Sequence, residues 1–284
     1  MSLENKRCDL HTHSTYSDGT WTPEEIIREA KRLDLAVALT DHNMVQGLPE
    51  FMRAAEKYGV EAVGGAELSC DFEGREVHML ALFIPESAYG AVMEYTEPMR
   101  RHKKESNRIL AENLAAAGYP IDLDKLVSAD PKRYVNRAHF ADEMVKLGYV
   151  KTRDEAFATL LSPEYGYYIP CPRPAVEDTV SFIRSIGAVA VFAHPYLDFT
   201  DEELCRIIPA AKTAGLAGME TSYSEYSPET QATAEDTAKQ YGLLMSGGSD
   251  FHGDIKPHIS LMTGTGELFV PYEYYLKIKE YSVG

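Results

Sequence analysis

Segments typical of buried β-strands alternate with segments typical of amphipathic α-helices along most of this 284-residue chain. The first helix begins at Thr22, which precedes Pro23 at the first helical position and Glu25 at the third, the arrangement of a capping box. Strands that alternate with helices usually pair in parallel and form β-α-β units. Roughly seven strands are recognisable, at residues 7–10, 36–40, 61–68, 76–83, 188–193, 218–221 and 243–246. The pattern predicts an α/β fold and favours a barrel-like closed sheet, with an open doubly wound sheet as the alternative.

The alternation stops between about residues 95 and 170, where the pattern is mostly helical and contains no clear strand. Basic residues cluster near the start of this stretch, at Arg100, Arg101, Lys103, Lys104 and Arg108. The segment Pro170-Cys171-Pro172-Arg173-Pro174 then forms a rigid, extended connector, after which the alternation resumes. We therefore predict a barrel domain formed by residues 1–94 and 171–284, and a helical insert formed by residues 95–170 that contacts the substrate or acts as a lid.

The net charge and the distribution of apolar residues disfavour several classes of protein. A formal net charge of −16 argues against general binding of nucleic acids, which depends largely on Lys and Arg at the phosphates. No stretch approaches the ~18 consecutive apolar residues of a membrane span, and the first residues contain no apolar secretion signal. The four cysteines form no C-x-x-C pair and no spacing typical of a disulfide framework. We therefore predict a cytoplasmic protein with reduced thiols and no membrane partner.

Histidine and carboxylate residues lie at, in or just after the predicted strands, except for Asp18, which lies in a loop. In parallel β/α folds the carboxyl ends of the strands meet at one rim, where active sites form, so residues far apart in the sequence are expected to come together. The segments concerned are Asp9-Leu10-His11-Thr12-His13, Ser17-Asp18-Gly19, Thr40-Asp41-His42-Asn43, Gly65-Ala66-Glu67, Val77-His78-Met79, Ala193-His194-Pro195 and Gly248-Ser249-Asp250-Phe251-His252.

The residue types in these segments are typical of a hydrolytic metal site. His11 and His13 are two residues apart, so that on a strand their side chains point the same way, and Asp250 and His252 repeat this spacing. Imidazoles and carboxylates without thiolates suit Zn, Mn or Fe, whereas structural zinc sites more often contain cysteine. A single histidine of this kind is more often a hydrogen-bonded structural residue, but six of the nine histidines share the placement. The pattern therefore predicts a metal centre.

These separated motifs resemble those of the PHP family, the polymerase and histidinol phosphatase superfamily of metal-dependent phosphoesterases. The resemblance covers about residues 6–90 and 175–260. It implies a distorted seven-stranded β/α barrel with a trinuclear metal centre at the carboxyl ends of the strands, which supports the barrel over the open sheet. It also implies a hydrolase of phosphate esters that uses two or three divalent metal ions, Zn, Mn or Fe, to activate water.

The resemblance implies a ligand set in which every ligand position of the family is filled. One metal ion would be held by His11, His13, Glu67 and Asp250, a second by Glu67, His78 and His194, and a third by Asp18, His42 and His252. Two nearby positions depart from the family pattern. Asn43 stands where Asp is usual, and Leu80-Ala81 stands where Gly is usual two residues after the ligand histidine. Neither departure removes a ligand, but both bear on the local loop shape and on the fit of the substrate.

Other residues near the ligands are also assigned roles. Asp9 and Asp41 are adjacent to ligand residues and are expected either to orient imidazoles by hydrogen bonds or to cap strand ends. His194 and Asp250 are predicted to be catalytic as well as metal-binding, with His194 a candidate proton donor to the leaving oxygen. Glu220 ends a predicted strand but matches no ligand position, so we predict a structural role for it.

In the insert, the segment Asn136-Arg137-Ala138-His139 resembles an Arg/His element that points toward the metal centre in such proteins. Arg137 would clamp a phosphate in a bidentate way, and His139 would bond the phosphate or donate a proton. The alternative is an ordinary helix N-terminus with a surface Arg. Arg108 is a weaker candidate, better explained as surface charge on a helix. Four tyrosines are candidates for stacking on a base or for packing, namely Tyr134, Tyr165, Tyr167 and Tyr168.

These observations predict a phosphatase that acts on a phosphorylated small molecule, and they favour an AMP-like nucleotide, either a nucleoside monophosphate or a nucleoside 3′,5′-bisphosphate. One alternative is a 5′-to-3′ exoribonuclease that acts on short 5′-phosphorylated oligonucleotides, and another is a histidinol-phosphatase-like enzyme. The complete ligand set disfavours a regulatory module with eroded ligands. A metal-dependent amidohydrolase is disfavoured because we recognise neither the carboxylated lysine nor the binuclear pattern of such sites.

Overall fold

The computed structural model describes residues 6–128 and 135–283. Contacts within the chain divide it into two compact units. The barrel unit is formed by Met1–Glu94 and Arg173–Gly284, and the helical unit is formed by Tyr95–Pro172. The candidate stacking residue Tyr134 lies outside the described residues.

Within the described residues, seven strands form one sheet in the barrel unit, in the same order in space as in the sequence. They are β1 (Arg7–Asp9), β2 (Leu35–Leu39), β3 (Ala62–Phe72), β4 (Arg75–Leu82), β5 (Val189–Phe192), β6 (Gly218–Tyr223) and β7 (Leu244–Gly248). The first and last strands also approach each other, because the Leu10 amide donates to the Gly247 carbonyl at 3.0 Å and Thr12 forms a parallel bridge with Phe251. The sheet is therefore nearly closed. This confirms the predicted α/β barrel and excludes the open doubly wound sheet.

One strand, β4, runs antiparallel to both of its neighbours, β3 and β5. The expectation of parallel pairing is wrong for this strand, because no helix separates β3 from β4. The two-residue loop Glu73-Gly74 joins them instead, and both residues have positive φ, as hairpin loops of this length require. The Asp71 carboxylate stabilises the loop by accepting a hydrogen bond from the Gly74 amide at 2.9 Å. The resulting hairpin brings the first half of β4 to the end of the barrel at which the other strands finish.

The helices of the described residues agree with the periodicity of the sequence. α1 begins at the predicted capping box, in which the Glu25 amide donates to the Thr22 side chain and the Thr22 amide donates to the Glu25 carboxylate. The helices are α1 (Pro23–Leu33), α2 (Leu48–Tyr58), α3 (Tyr89–Ala116), α4 (Leu123–Ser128), α5 (Arg137–Lys146), α6 (Arg153–Ala158), α7 (Val176–Ser185), α8 (Pro195–Asp198), α9 (Asp201–Ala214), α10 (Pro228–Tyr241) and α11 (Tyr272–Ser282).

Each unit has its own apolar core. The core of the barrel unit includes Leu10, Ala38, Leu80, Val191, Val270 and Ile278, and that of the helical unit includes Leu110, Leu114, Phe140, Met144 and Leu161. The four cysteines are free thiols, as predicted, and two of them are buried. Among the described residues, no helix combines the length and the apolar character that crossing a bilayer requires.

Gly248 marks the close approach of β7 to the residues that follow β1. A Cβ at this position would lie 2.4 Å from the Cβ of His11 and 2.5 Å from its amide nitrogen. We expect Gly248→Ala to force the two segments apart and to lower the free energy of unfolding by about 1–3 kcal/mol. Gly90→Ala is the matched control, because a Cβ there meets no atom within 4 Å. Urea unfolding of both variants measures the difference, and equal stabilities would contradict the close approach.

Candidate metal centre

The predicted ligand residues come together at one end of the barrel unit. His11 and His13 follow β1, His42 follows β2, His194 follows β5, and Asp250 and His252 follow β7. Asp18 lies in the loop that precedes α1. Glu67 lies in the middle of β3, where it pairs with Leu80, and His78 lies in the first half of β4, where it pairs with Ser69. The hairpin of β3 and β4 therefore supplies these two residues from within strands rather than from strand ends.

The Glu67 carboxylate lies at the middle of the cluster and is almost fully buried, with 1% exposure. Imidazole nitrogens from separate strands surround both of its oxygens. Oε1 lies 2.8 Å from His78 Nδ1 and 3.1 Å from His194 Nε2. Oε2 lies 2.9 Å from His42 Nδ1 and 3.3 Å from the Nε2 atoms of both His11 and His13. A single carboxylate thus contacts ligand residues of all three predicted metal positions.

The other two carboxylates extend the cluster on either side. Asp250 Oδ1 lies 3.1 Å from His13 Nε2 and 3.5 Å from His11 Nε2. Asp18 Oδ1 lies 3.2 Å from His252 Nε2, and its Oδ2 lies 3.8 Å from His42 Nε2. Both carboxylates are buried, and the cluster reaches solvent at the partly exposed imidazoles of His42 and His78.

Three groups in this cluster have ligand atoms that all lie within 4.8 Å of one another. They are His13, Asp18, His42 and His252; His11, His13 and Asp250; and His42, Glu67 and His78. These groups differ from the predicted sets. His13 and His42 each belong to two groups, and Glu67 is not in the group of His11 and Asp250. Among the described residues, His194 is in none of the three groups, but its Nε2 lies 3.1 Å from Glu67. All nine residues predicted as ligands nevertheless lie in this one cluster.

The donor set fits divalent metal ions. It consists of imidazole nitrogens and carboxylate oxygens, which suit Zn, Mn or Fe. Oε2 of Glu67 is buried and has no hydrogen-bond partner among the described residues, although imidazole nitrogens lie 2.9–3.3 Å away without hydrogen-bond geometry. A buried carboxylate oxygen without a donor is costly unless a cation compensates it. Metal ions would provide that compensation.

The charges of the cluster are strongly coupled. Burial raises the pKa of Glu67, but His42 and His78 outweigh it and hold that pKa well below its usual range. Burial lowers the pKa of His13, but the nearby carboxylates of Asp250 and Glu67 raise it to about 9. Burial likewise lowers the pKa of His78, and Glu67 raises it to about 10. Without metal ions the cluster therefore combines the ionised carboxylate of Glu67 with protonated imidazoles at His13 and His78.

Among the residues that the structure describes, neither Asp9 nor Asp41 forms a hydrogen bond with an imidazole ring. Asp9 accepts from the Ser249 amide at 2.8 Å, the Ser249 hydroxyl at 2.6 Å and the Met262 amide at 2.9 Å. Asp41 accepts from the Ser14 amide at 2.8 Å and from the hydroxyl of Ser17 at 2.6 Å. Both carboxylates therefore cap strand ends and fix the loops that carry ligands, which is the second of the two roles expected for them.

Residues that the sequence pattern did not assign to the site contact the ligands from outside, among them Glu220, Tyr223 and Lys256. Glu220 Oε1 and Oε2 each lie 3.2 Å from His11 Nδ1. The Tyr223 hydroxyl donates to Asp250 Oδ2 at 2.9 Å, and Lys256 Nζ donates to the same oxygen at 2.6 Å. The sequence gives a signal only for Glu220, which lies at the end of a predicted strand. The structural role predicted for Glu220 did not include a contact with a ligand.

Where this chain departs from the family pattern, local interactions are intact. Asn43 adopts a positive φ of 52°, which Asn tolerates better than most residues. Its side chain accepts from the Ser69 amide at 3.0 Å and donates to the Ser69 hydroxyl at 3.1 Å, which ties the end of β2 to β3. Leu80 and Ala81 are fully buried in β4, and Leu80 belongs to the core of the barrel unit. The departures therefore preserve the structure around the ligands.

In the helical unit, the structure gives Arg137 and His139 local contacts. Asn136 is the N-cap of α5, and the Asn136 amide donates to His139 Nδ1 at 3.1 Å in a capping box. The Arg137 guanidinium lies 4.4 Å from the ring centroid of Tyr168. These contacts fit the ordinary helix N-terminus given above as the alternative, and a role at the substrate stays a prediction.

The other candidate residues of the helical unit are Arg108 and the tyrosines Tyr165, Tyr167 and Tyr168. Arg108 pairs with Glu105 and Glu112 on the surface of α3, as expected for surface charge. Tyr168 is buried in the core of the helical unit and Tyr167 packs against that core, whereas Tyr165 is exposed.

Comparison with known proteins agrees with this geometry. The model of the PHP domain family matches residues 9–157. A 3′,5′-nucleoside bisphosphate phosphatase of Chromobacterium violaceum is 34% identical to this chain, over 86% of this chain and 86% of the relative. A 5′-3′ exoribonuclease of Haemophilus influenzae is 29% identical, over 87% of this chain and 90% of the relative. The crystal structure of a protein assigned as a metal-dependent phosphoesterase of Bifidobacterium adolescentis superposes with a TM-score of 0.82 at 30% identity, over 96% of each chain.

Asp18 provides a test of how the ligands are divided among metal ions. It lies in a loop, and its carboxylate faces both His252 and His42, the other two predicted ligands of the third ion. We expect Asp18→Ala to lose one bound ion and to keep the others. Elemental analysis after metal loading and desalting measures the ratio of metal to protein. Asp254→Ala, at an exposed neighbouring position, should keep the full metal content. An unchanged metal content in Asp18→Ala would refute the assignment of this residue.

The pKa values of His13 and His78, raised to about 9 and about 10, predict how metal binding depends on pH. A metal ion must displace the protons that these imidazoles carry below those values. We therefore expect the affinity for Mn²⁺ to rise between about pH 7 and pH 9. In the metal-free protein the same protons stabilise the fold fully below about pH 6.5, and that contribution is lost as the pH rises through 9–10.

Calorimetry at about pH 7.5, in two buffers with different ionisation enthalpies, measures the protons released when Mn²⁺ binds. His258→Gln is the matched control, because His258 is exposed and lies outside the cluster, and it should leave the release unchanged. Binding with no proton release would show that the imidazoles of the cluster are neutral before the metal binds, contrary to this expectation.

Proposed function

This chain belongs to the PHP family, and we propose that it hydrolyses a phosphate monoester of a nucleotide with two or three divalent metal ions bound at the cluster around Glu67. Membership of the family makes the chain a metal-dependent phosphoric ester hydrolase, as predicted. We propose the identity of the substrate, the number of metal ions and the residues that hold them.

One observation carries the proposal, namely that all residues of the predicted ligand set lie in one contiguous, mostly buried cluster with Glu67 at its middle. We propose that His11, His13, Glu67 and Asp250 hold one ion, that Glu67, His78 and His194 hold a second, and that Asp18, His42 and His252 hold a third. A regulatory module with eroded ligands would not retain such a set. The cluster therefore supports an enzyme rather than a binding module.

Metal ions bound at such a site lower the pKa of water and neutralise the charge of a phosphate group. The chain adds a positive charge of its own at Lys256. Burial lowers the pKa of Lys256, but Asp250 and Asp18 outweigh it and raise that pKa, so the ammonium group is charged at neutral pH. The group is partly exposed beside Asp250, and it attracts a phosphate dianion toward the cluster.

His194 was predicted both as a ligand and as a proton donor. Its Nε2 faces Glu67 at 3.1 Å, and its Nδ1 faces Asp198 at 3.8 Å. Ligation and proton donation exclude each other at one nitrogen, so we assign Nε2 to ligation. One carboxylate oxygen of Asp250 accepts hydrogen bonds from Tyr223 and Lys256, and its other oxygen faces the imidazoles of the cluster. Arg137 and His139 remain predicted contacts of the substrate in the helical insert.

A nucleotide is the substrate that the relatives support best, because the relative from C. violaceum is a 3′,5′-nucleoside bisphosphate phosphatase. The net charge of −16 disfavours long RNA, since little positive charge is available for successive phosphates. The second candidate is exonucleolytic cleavage of short 5′-phosphorylated oligonucleotides, which the relative from H. influenzae supports. Histidinol phosphate is a third substrate to test. We propose that the reaction takes place in the cytoplasm.

Phosphate release from a panel of substrates tests this function. We expect the protein loaded with Mn²⁺ or Zn²⁺ to release phosphate faster from nucleoside mono- or 3′,5′-bisphosphates than from histidinol phosphate. Glu67→Gln should lower kcat by on the order of 10²-fold or more, because it changes a residue that binds the metal ions directly and not one that only supports a ligand. Glu73→Gln, in the exposed hairpin loop, is the control for a neutralised carboxylate.

The panel also includes a short 5′-phosphorylated oligoribonucleotide, with the products separated by length. Faster release of single nucleotides from this substrate than of phosphate from any mononucleotide would favour the exonuclease over the phosphatase. No turnover of any member by protein that contains bound metal would rule out both.

A further inference from the structure

Glu220 is a carboxylate that lies directly behind a ligand imidazole. It lies in β6, its side chain is fully buried, and both of its oxygens lie 3.2 Å from His11 Nδ1. On the opposite side of the same ring, His11 Nε2 faces Glu67 at 3.3 Å and Asp250 at 3.5 Å. The imidazole of His11 is therefore held between an outer carboxylate and the inner cluster.

This arrangement determines which nitrogen of His11 carries the hydrogen. An ionised carboxylate accepts hydrogen bonds and donates none, so Nδ1 must be the donor to Glu220. In the neutral form, which is the form that binds a metal ion, the imidazole then has its lone pair on Nε2, the atom that points into the cluster. A carboxylate behind a ligand histidine fixes the tautomer and the orientation of the ring in this way in many metal sites.

Glu220 also holds the turn that carries a second ligand. Its Oε2 accepts a hydrogen bond from the His194 amide at 2.7 Å. His194 has a φ of 31°, a left-handed conformation that is strained for a residue with a side chain. The rings of His11 and His194 stack with their centroids 5.7 Å apart. One carboxylate on β6 thus restrains two ligands that follow β1 and β5.

We propose that Glu220 is a positioning residue of the metal centre, which sets the tautomer of His11 and the turn of His194 and thereby sets the affinity for metal ions. This inference rests on the proposed function, because it takes His11 and His194 to be ligands. Asp9 and Asp41 are equally buried but accept only from amides and serine hydroxyls, so Glu220 differs from them by contacting a ligand ring.

Glu220→Gln separates positioning from simple structural support, because glutamine has the same shape but donates from one side of its amide. If the amide oxygen accepts from the His194 amide, the amide nitrogen faces His11 Nδ1. The amide oxygen keeps one contact with Nδ1, but the amide nitrogen places a second donor beside that atom, which favours the tautomer with the hydrogen on Nε2 and no lone pair there for a metal ion. We expect the affinity for Co²⁺ or Zn²⁺ to fall roughly 10–100-fold, with the melting temperature of the metal-free protein within a few degrees of wild type.

Metal titration without substrate, followed by the absorption of Co²⁺, measures the affinity. Glu225→Gln, at an exposed position just after β6, is the matched control and should bind Co²⁺ as wild type does. Nitrogen NMR shifts of the Zn²⁺-loaded wild-type protein report the tautomer of His11, with a hydrogen expected on Nδ1 and metal on Nε2. That measurement tests the proposal even if Glu220→Gln does not fold.

Wild-type affinity in Glu220→Gln would overturn the proposal. So would metal on Nδ1 of His11 in the wild-type protein, or a loss of affinity matched by a large drop in the melting temperature of the metal-free variant. These outcomes are distinct from failure of the proposed function. A wild-type protein that binds metal ions tightly but hydrolyses no phosphate ester would contradict the function and leave the role of Glu220 intact.

Discussion

The structure of this protein depends on the convergence of imidazoles on the buried carboxylate of Glu67. Its oxygens lie within 3.3 Å of nitrogens on His11, His13, His42, His78 and His194, which come from four different strand ends or strands. So many ionisable groups are tolerated in a buried site only when their charges compensate one another. The near closure of the sheet brings these groups together, and the ions that we propose to bind there would replace the protons that otherwise balance the cluster.

The buried carboxylates around this cluster stabilise different parts of it. Asp9 and Asp41 fix the backbone of the segments that carry ligands, whereas Glu220 contacts a ligand ring, and Tyr223 and Lys256 restrain Asp250. His78 has an outer partner as well, since its Nε2 lies 3.5 Å from Glu76 Oε1 and Arg173 donates to Glu76 Oε2 at 2.5 Å. Ligands with outer partners are held in fixed orientations, which favours metal binding because less freedom is lost when an ion binds.

Much of the fold and of the candidate site could be predicted from the sequence, because the signals are local. Alternating strands and helices and the capping box at Thr22 follow from neighbouring residues. Ligand residues were recognised by their type and by their place beside predicted strands. The direction of β4 was not predicted, because an antiparallel hairpin and a parallel pair contain similar apolar segments and differ only in the connection between them.

The sequence by itself determined the α/β class, the family and the residue types of the metal centre, since periodicity, composition and spaced motifs are properties of the chain alone. Only the tertiary structure decided which carboxylate supports which imidazole. Glu220 and His11 are 209 residues apart and meet because near closure of the sheet leaves only β7 between β6 and β1. The motif Asp9-Leu10-His11-Thr12-His13 suggests Asp9 as the partner of His11, but the side chain of Asp9 points to Ser249. Contacts of this kind depend on the closure of the sheet, which no local pattern encodes.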